Sequence, residues 1–287
     1  MSDQLSRRHF LRAVSAGAAG LGLTTKFSLD AFAARQAWKA GLAQVIITPR
    51  KPLWMAGYAS RTKPSEGVIQ ELYAKALALE DHSGKRAVLV TSDLLGFPAV
   101  VSHNIAARVE KQHHLTRAQL LLSSSHTHGG PVLDKMLGLM YPMNFQQWAD
   151  VEAYTSELED KIVKLVGAAL KSLRPARLSF GHGEASFAMN RRARTNEEIV
   201  IGVNKEGPVD HDIPVLRVDD KHGKLRAVVF GYACHNTTAR DFMQFHGDYA
   251  GFAEAWLENH HPGAMALFIS GCGADAPTLS SVSIRDR

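Results

Sequence analysis

The sequence predicts an α/β fold in which mixed β-sheets are flanked by helical layers, an α/β/β/α-like sandwich. Short apolar runs without helical periodicity alternate with longer runs whose apolar residues recur at three- and four-residue steps. Two compact turn signals, Asp81-His82-Ser83-Gly84 and Asp219 to Gly223, predict hairpins, and hairpins place antiparallel neighbours in a sheet whose other strands are joined by helices. At 287 residues, 45% of them hydrophobic and 21% charged, the chain is long enough to bury a sizeable core.

Taken in chain order, Leu42 to Thr48 reads as a strand stopped by Pro49, and Met55-Ala56-Gly57-Tyr58 as a loop opened by glycine. Tyr73 to Glu80 is apolar and alanine-rich and runs into the first turn. Arg86 to Thr91 then returns as a fully buried strand. Val100 to His114 has helical spacing, and Gln119 to Ser123 is a second buried strand leading straight into a histidine cluster. The longest helical pattern covers 145 to 172, with Trp148, Val151, Tyr154, Leu158, Ile162, Leu165 and Ala169 on one stripe, ended by Arg174-Pro175. Further strands are expected at Ala176 to Gly181, Ile213 to Val218, Ala227 to Tyr232 and Ala264 to Ser270, with a helix from Tyr249 to His260 between the last two. No internal repeat or low-complexity linker interrupts this order.

The N-terminus reads as an address. Ser6-Arg7-Arg8-His9-Phe10-Leu11 is a twin-arginine pattern, followed by an apolar stretch, Ala13 to Leu23, too short to span a bilayer. Ala31-Phe32-Ala33 supplies a small-x-small cleavage pattern. The expected organisation is therefore a signal peptide over 1–33, delivered to the twin-arginine export machinery, and a single domain over 34–287 that is C-terminally incomplete, with a periplasmic or secreted mature protein. The formal charge is +5; the signal carries four cations against two anions, so its removal takes +2 away and leaves +3. Lys and Arg are scattered without aromatic interleaving, which argues against nucleic acid as a partner. Two cysteines, Cys234 and Cys272, are too few for a disulfide scaffold and are expected as buried free thiols.

Fourteen histidines is a high count, and several sit in clusters. Ser125-His126-Thr127-His128-Gly129-Gly130-Pro131 follows a predicted buried strand; if the strand persists through 128, alternation puts His126 and His128 on one face, where two imidazoles can share a metal or one can ligate while the other meets substrate. By itself such a pair is equally compatible with polar loop histidines. Val228 to His235 drives a second buried strand into a histidine at its carboxyl end, where sites in such sheets assemble. Asp248 is expected to cap the helix that follows it in preference to ligating a metal. Asp275 is a candidate to orient a ligand histidine, Asp93 is placed at a strand end within reach of the site, and Arg191, in Asn190-Arg191-Arg192, either meets a developing oxyanion or faces water. Cys234 is expected to be a buried spectator, pointing away from His235.

This ordered set resembles the neutral and alkaline non-lysosomal ceramidase family in its N-terminal catalytic portion. The resemblance runs from Ile47-Thr48-Pro49 and Ala56-Gly57-Tyr58 through Thr91-Ser92-Asp93-Leu94, His126 to Pro131, Asn190-Arg191-Arg192, Tyr232 to His235 and Gly247-Asp248-Tyr249 to Gly271 to Asp275. It implies one zinc ion held by His126 and His235, with His128 and Arg191 binding substrate and the tetrahedral intermediate, and hydrolysis of the amide of an N-acylsphingosine-like lipid, with membrane-surface contact as a corollary. It also implies a glutamate and a tyrosine ligand that no segment of this chain matches, and it departs at Gly129, where the family usually has serine, and at Asn236. Two rivals share these features: a periplasmic zinc- or ligand-binding protein without turnover, and a zinc esterase acting on another substrate.

Overall fold

The computed structural model describes residues 38–196 and 198–278. The twin-arginine segment and its cleavage pattern lie outside the described residues. The chain divides after Gln36, and the unit that begins at Ala37 carries the fold.

Eight strands form one mixed sheet. In chain order they are β1 (Trp38–Ile46), β3 (Tyr73–Glu80), β4 (Arg86–Ser92), β5 (Leu120–Leu122), β6 (Arg174–Glu184), β9 (Asp212–Asp220), β10 (Leu225–Tyr232) and β12 (Met265–Ser270). Two short pairs complete the strands: β2 (Gly67–Val68) with β11 (Gln244–Phe245), and β7 (Arg192–Arg194) with β8 (Ile199–Ile201). The order across the large sheet is β12-β10-β9-β6-β1-β3-β4-β5. The two turn signals deliver the expected antiparallel hairpins, β3 with β4 and β9 with β10, whereas β4–β5 and β10–β12 are parallel and are joined through helices. The helices are α1 (Ala99–His113), α2 (Phe145–Lys171) and α3 (Asp248–His260).

Alternation along the strands explains the layers. Ala43 and Val45 of β1, with Ala74, Ala76 and Ala78 of β3, point outward into a core shared with α1 and α2. The alanines keep that face shallow enough for α2 to lie close: a Cβ at Gly41 would sit 2.0 Å from the Ala169 carbonyl oxygen. Ala40, Leu77 and Leu89 point the other way. There they share a second core with Val218, Val229 and Leu267, from strands at the opposite end of the sheet. The sheet therefore folds over on itself. Beyond its far half, Phe268 and Tyr232 share a third cluster with Ala250 on the inner stripe of α3. The resulting order of layers is helix, sheet, sheet, helix, the sandwich expected from sequence, built from one continuous sheet.

The edge of β12 is sealed by side chains instead of a strand. Glu254 of α3 accepts from the Phe268 amide at 2.6 Å, Glu258 accepts from the Ala266 amide at 3.0 Å, and Lys75, reaching across from β3, donates to the Ala266 carbonyl at 2.9 Å. Lys75 also pairs with Glu254 at 3.0 Å and Glu258 at 2.7 Å, so this buried cation has its donors satisfied.

Candidate metal centre

The site forms where the two edges of the folded sheet meet. The segment after β5 brings His126 and His128, and the segment after β10 brings His235; one ring nitrogen from each lies within 4.8 Å of the others. The means differs from the one the sequence suggested. β5 ends at Leu122, and His126 takes a left-handed backbone, φ 58°. That turn, not strand alternation, aims both imidazoles at one point, with ring centroids 5.3 Å apart. Thr127 points away and ties the turn down, donating its hydroxyl to the His246 carbonyl at 3.0 Å and accepting from the Gly129 amide at 3.0 Å.

Main-chain carbonyls orient two of the three rings. His126 Nδ1 lies 2.8 Å from the Leu95 carbonyl and His235 Nδ1 3.2 Å from that of Ala274, which fixes these nitrogens as the protonated ones and turns each Nε2 toward the centre. His128 Nε2 is 3.1 Å from His235 Nε2, while His128 Nδ1 is buried with no hydrogen-bond partner. Burial, reinforced by the neighbouring His235, holds the His128 imidazole down at about 3, and burial beside His126 holds His235 at about 4. Both are therefore neutral at pH 7, the form that ligates a metal. Three converging imidazoles, two of them with main-chain carbonyl partners, form a donor set that suits a borderline ion such as zinc.

Around His128 stand Gly57 and Tyr58, from the Ala56-Gly57-Tyr58 motif already visible in the sequence, and Arg61, which sequence reasoning missed. Arg61, only 2% exposed, donates to the carbonyls of His128 (2.8 Å), Ala56 (2.5 Å) and Phe242 (3.2 Å), and its guanidinium lies over the Tyr58 ring. The Tyr58 ring in turn packs on His128, centroids 4.7 Å apart. Gly57 has φ 102°, and a Cβ there would stand 2.3 Å from His128 Nδ1. An arginine near an Ala-Gly-Tyr loop carries no local signal that three carbonyls converge on it; only the fold supplies them.

Of the other residues singled out by sequence, Arg191 borders the cluster: its Nη2 donates at 2.7 Å to the Ala274 carbonyl, the same oxygen that faces His235 Nδ1. Asp275 accepts from Asn190 at 3.3 Å, so the expected orienting acid is replaced by the neighbouring carbonyl. Asp248 is neither a ligand nor a simple cap. Its buried carboxylate accepts from the amides of Thr238 and Ala239, both at 2.8 Å, and of Tyr249, fastening the loop after His235 to α3. Asp93 lies beneath the site, accepting from the Tyr73 amide at 2.9 Å and from the Ser125 hydroxyl at 3.4 Å, and burial raises its pKa. Cys234 is the buried spectator expected, its thiol pushed up to about 12 by burial, but Cys272 is exposed, because it sits in the glycine turn that walls the site. A cavity of about 900 Å³ is lined by Phe187, Asn190 and Tyr249 and by none of the three histidines. His126 and His235 instead wall a separate cavity of about 380 Å³ with Ser123, Ser270 and Ala274.

A folded-over mixed sheet with three histidines gathered at its seam defines an α/β protein with a candidate metal centre. Residues 39–272 match the family described as neutral/alkaline non-lysosomal ceramidase, N-terminal, and the chain belongs to that family. It is 27% identical over 211 residues to a neutral ceramidase of Pseudomonas aeruginosa, covering 70% of this chain and 30% of that protein. It is 26% identical over 227 residues to neutral ceramidase A of Dictyostelium discoideum, covering 74% of this chain and again 30% of the relative. The crystal structure of the Pseudomonas aeruginosa neutral ceramidase superposes with a TM-score of 0.71 at 23% identity, over 84% of this chain and 39% of that one, a likeness of fold. The chain thus spans about 30% of the length of these curated relatives.

Proposed function

We propose that this chain forms the metal-binding, N-terminal part of a zinc-dependent amidohydrolase that cleaves an N-acylsphingosine-like lipid to a sphingoid base and a fatty acid, exported by the twin-arginine route to the periplasm or beyond. The convergence of His126, His128 and His235 carries the reading. Family membership supports the reaction, and the Ser6 to Leu11 pattern supports the address.

In this reading His126 and His235 hold the ion through Nε2, their tautomers set by Leu95 and Ala274. Zinc held there supplies Lewis acidity and a water that ionises near neutrality. His128, kept neutral by burial and the neighbouring His235 and held in place by Arg61, Gly57 and Tyr58, meets the scissile carbonyl as a hydrogen-bonding partner. Arg191 places a fixed cation beside the cluster, where negative charge develops as the carbonyl becomes tetrahedral. The lipid substrate brings the protein to membrane surfaces; among the described residues no helix is long and apolar enough to cross a membrane.

Zinc content per chain and fatty-acid release from an N-acylsphingosine test this together. His126→Ala and His235→Ala are expected to abolish stoichiometric zinc, whereas His128→Gln keeps zinc and loses turnover. Zinc binding without any acid release from N-acyl lipids would favour a binding protein, and zinc content indifferent to all three substitutions would end the metal assignment.

A further inference from the structure

Neither of the histidines read as metal ligands lies in the sheet. β5 ends at Leu122 and β10 at Tyr232, so His126 and His235 stand on loops, over 123–131 and 233–239, whose separation the strands alone do not set. Both loops are hydrogen-bonded to one short segment, 246–250, at the junction of β11 and α3. On one side His246 grips the residues that flank His128: its carbonyl accepts from the Thr127 hydroxyl at 3.0 Å and its amide donates to the Gly129 carbonyl at 3.1 Å. On the other side the residues that flank His235 are held. The Tyr249 hydroxyl donates to the Cys234 carbonyl at 2.7 Å, while the Asn236 side chain donates to the Gly247 carbonyl at 3.1 Å and accepts from the Ala250 amide at 3.3 Å. Asp248 extends that grip to the Thr238 and Ala239 amides.

The segment is shaped to face both ways. Asp248 takes a left-handed backbone, φ 55°, and its carboxylate faces the loop after His235. The His246 ring packs on the opposite loop, where a Cβ at Gly129 would stand 2.5 Å from it. Between them the Asp248 amide closes the turn by donating to His246 Nδ1 at 3.2 Å. Asn236, His246 and Asp248 are all buried, so these bonds form in a low-dielectric surrounding where breaking one is costly. We propose that segment 246–250 is a splint that fixes the spacing of His126 and His235, with Thr127 and Asn236 as the positioning residues through which it acts, one on each loop. The inference rests on the reading of His126 and His235 as the pair that holds the metal. A binding constellation has to be held to within about 0.5 Å, so a loop that drifts loses the ion before the protein loses its fold.

The test compares Thr127→Val and Asn236→Ala, in the full chain, with Leu158→Ala, which opens a cavity in the buried core beneath α2. Zinc affinity is read by competition with a chelator, and cobalt(II) is used as a second probe because its visible spectrum reports ligand geometry. Each of the two loop variants is expected to weaken both metals roughly tenfold or more and to shift the cobalt spectrum. Leu158→Ala, at an equal or larger loss of urea stability, should leave affinity within about twofold and the spectrum unchanged. Because both loop variants break the same splint, the double variant Thr127→Val/Asn236→Ala is expected to lose little more affinity than either alone. Losses that multiply, or that merely track stability as in Leu158→Ala, would overturn the proposal. Hydrogen exchange of the metal-free protein separates the splint from the metal. Asn236→Ala is expected to speed exchange roughly tenfold in 123–131, across the splint from the substitution, and to leave 145–171 unchanged. Faster exchange there supports the splint even if the protein binds no metal, which sinks only the metal reading; a change confined to 233–250 overturns the splint even if zinc is bound.

Discussion

The guanidinium of Arg61 donates to the main-chain oxygen of His128 at 2.8 Å, so a buried cation fixes the backbone from which the central imidazole projects. Because the same guanidinium serves the Ala56 and Phe242 carbonyls, Arg61→Met strands three acceptors at once. A stability loss of about 3 kcal/mol in urea unfolding is expected, with fatty-acid release lowered and any metal held by His126 and His235 retained, because the ring that loses its support is that of His128. Arg61→Lys restores the charge without the planar fork and should recover only part of either.

Gly57→Ala tests the contact with His128 directly. The position needs a positive φ, and the added Cβ would also lie 2.3 Å from the His128 ring. Gly84, φ 81°, faces open space and serves as its control. Gly84→Ala should cost on the order of 1 kcal/mol for backbone strain alone, while Gly57→Ala should cost about 1–3 kcal/mol more, read by thermal unfolding, and lower fatty-acid release by displacing the His128 ring.

Gly129→Ser should not be neutral here. A Cβ at 129 would come within 2.5 Å of the His246 ring and 2.4 Å of its carbonyl oxygen, so serine needs space that His246 fills. A loss of about 1–3 kcal/mol is expected, partly recovered in the double variant Gly129→Ser/His246→Ala. Additive losses in that cycle would show that the two positions do not compete.

Lys75→Met leaves Glu254 buried without its cation, and a loss of about 3–5 kcal/mol at pH 8 is expected. Burial already favours the protonated Glu254, and removing Lys75 strengthens that preference. The folded variant then holds a proton that the unfolded chain has released above the ordinary glutamate value of 4.5, so its stability falls as pH rises from there. The destabilisation should accordingly be smaller at pH 5 than at pH 8, and Lys75→Met/Glu254→Gln should abolish that pH dependence while keeping the acceptor for the Phe268 amide.

Much of the scaffold was legible in the sequence because it is local. Period-three-to-four apolar spacing located α1, α2 and α3 to within about a residue of Ala99–His113, Phe145–Lys171 and Asp248–His260, and the Asp81-to-Gly84 turn gave the β3–β4 hairpin. What the periodicity could not show is that Leu77 and Leu267 face each other, since which strands meet across a fold is not written in either one. The histidine motifs were visible as words, but their convergence depends on a left-handed turn at His126, a conformation uncommon for any residue but glycine and so not to be expected at a particular histidine. The short pairs β2–β11 and β7–β8 escaped because two or three residues carry no periodicity.

The two terminal strands of the sheet, β5 and β12, are brought together only when the sheet closes, and the histidine cluster sits at that junction with its rings drawn from positions as far apart as 126 and 235. No stretch of nascent chain shorter than the span between them contains the complete donor set. If the proposed ion binds there, its capture is a late event that reports completed closure, and the ion would act as a clasp across the seam, slowing its opening more than the opening of helices α1 and α2 on the far layer.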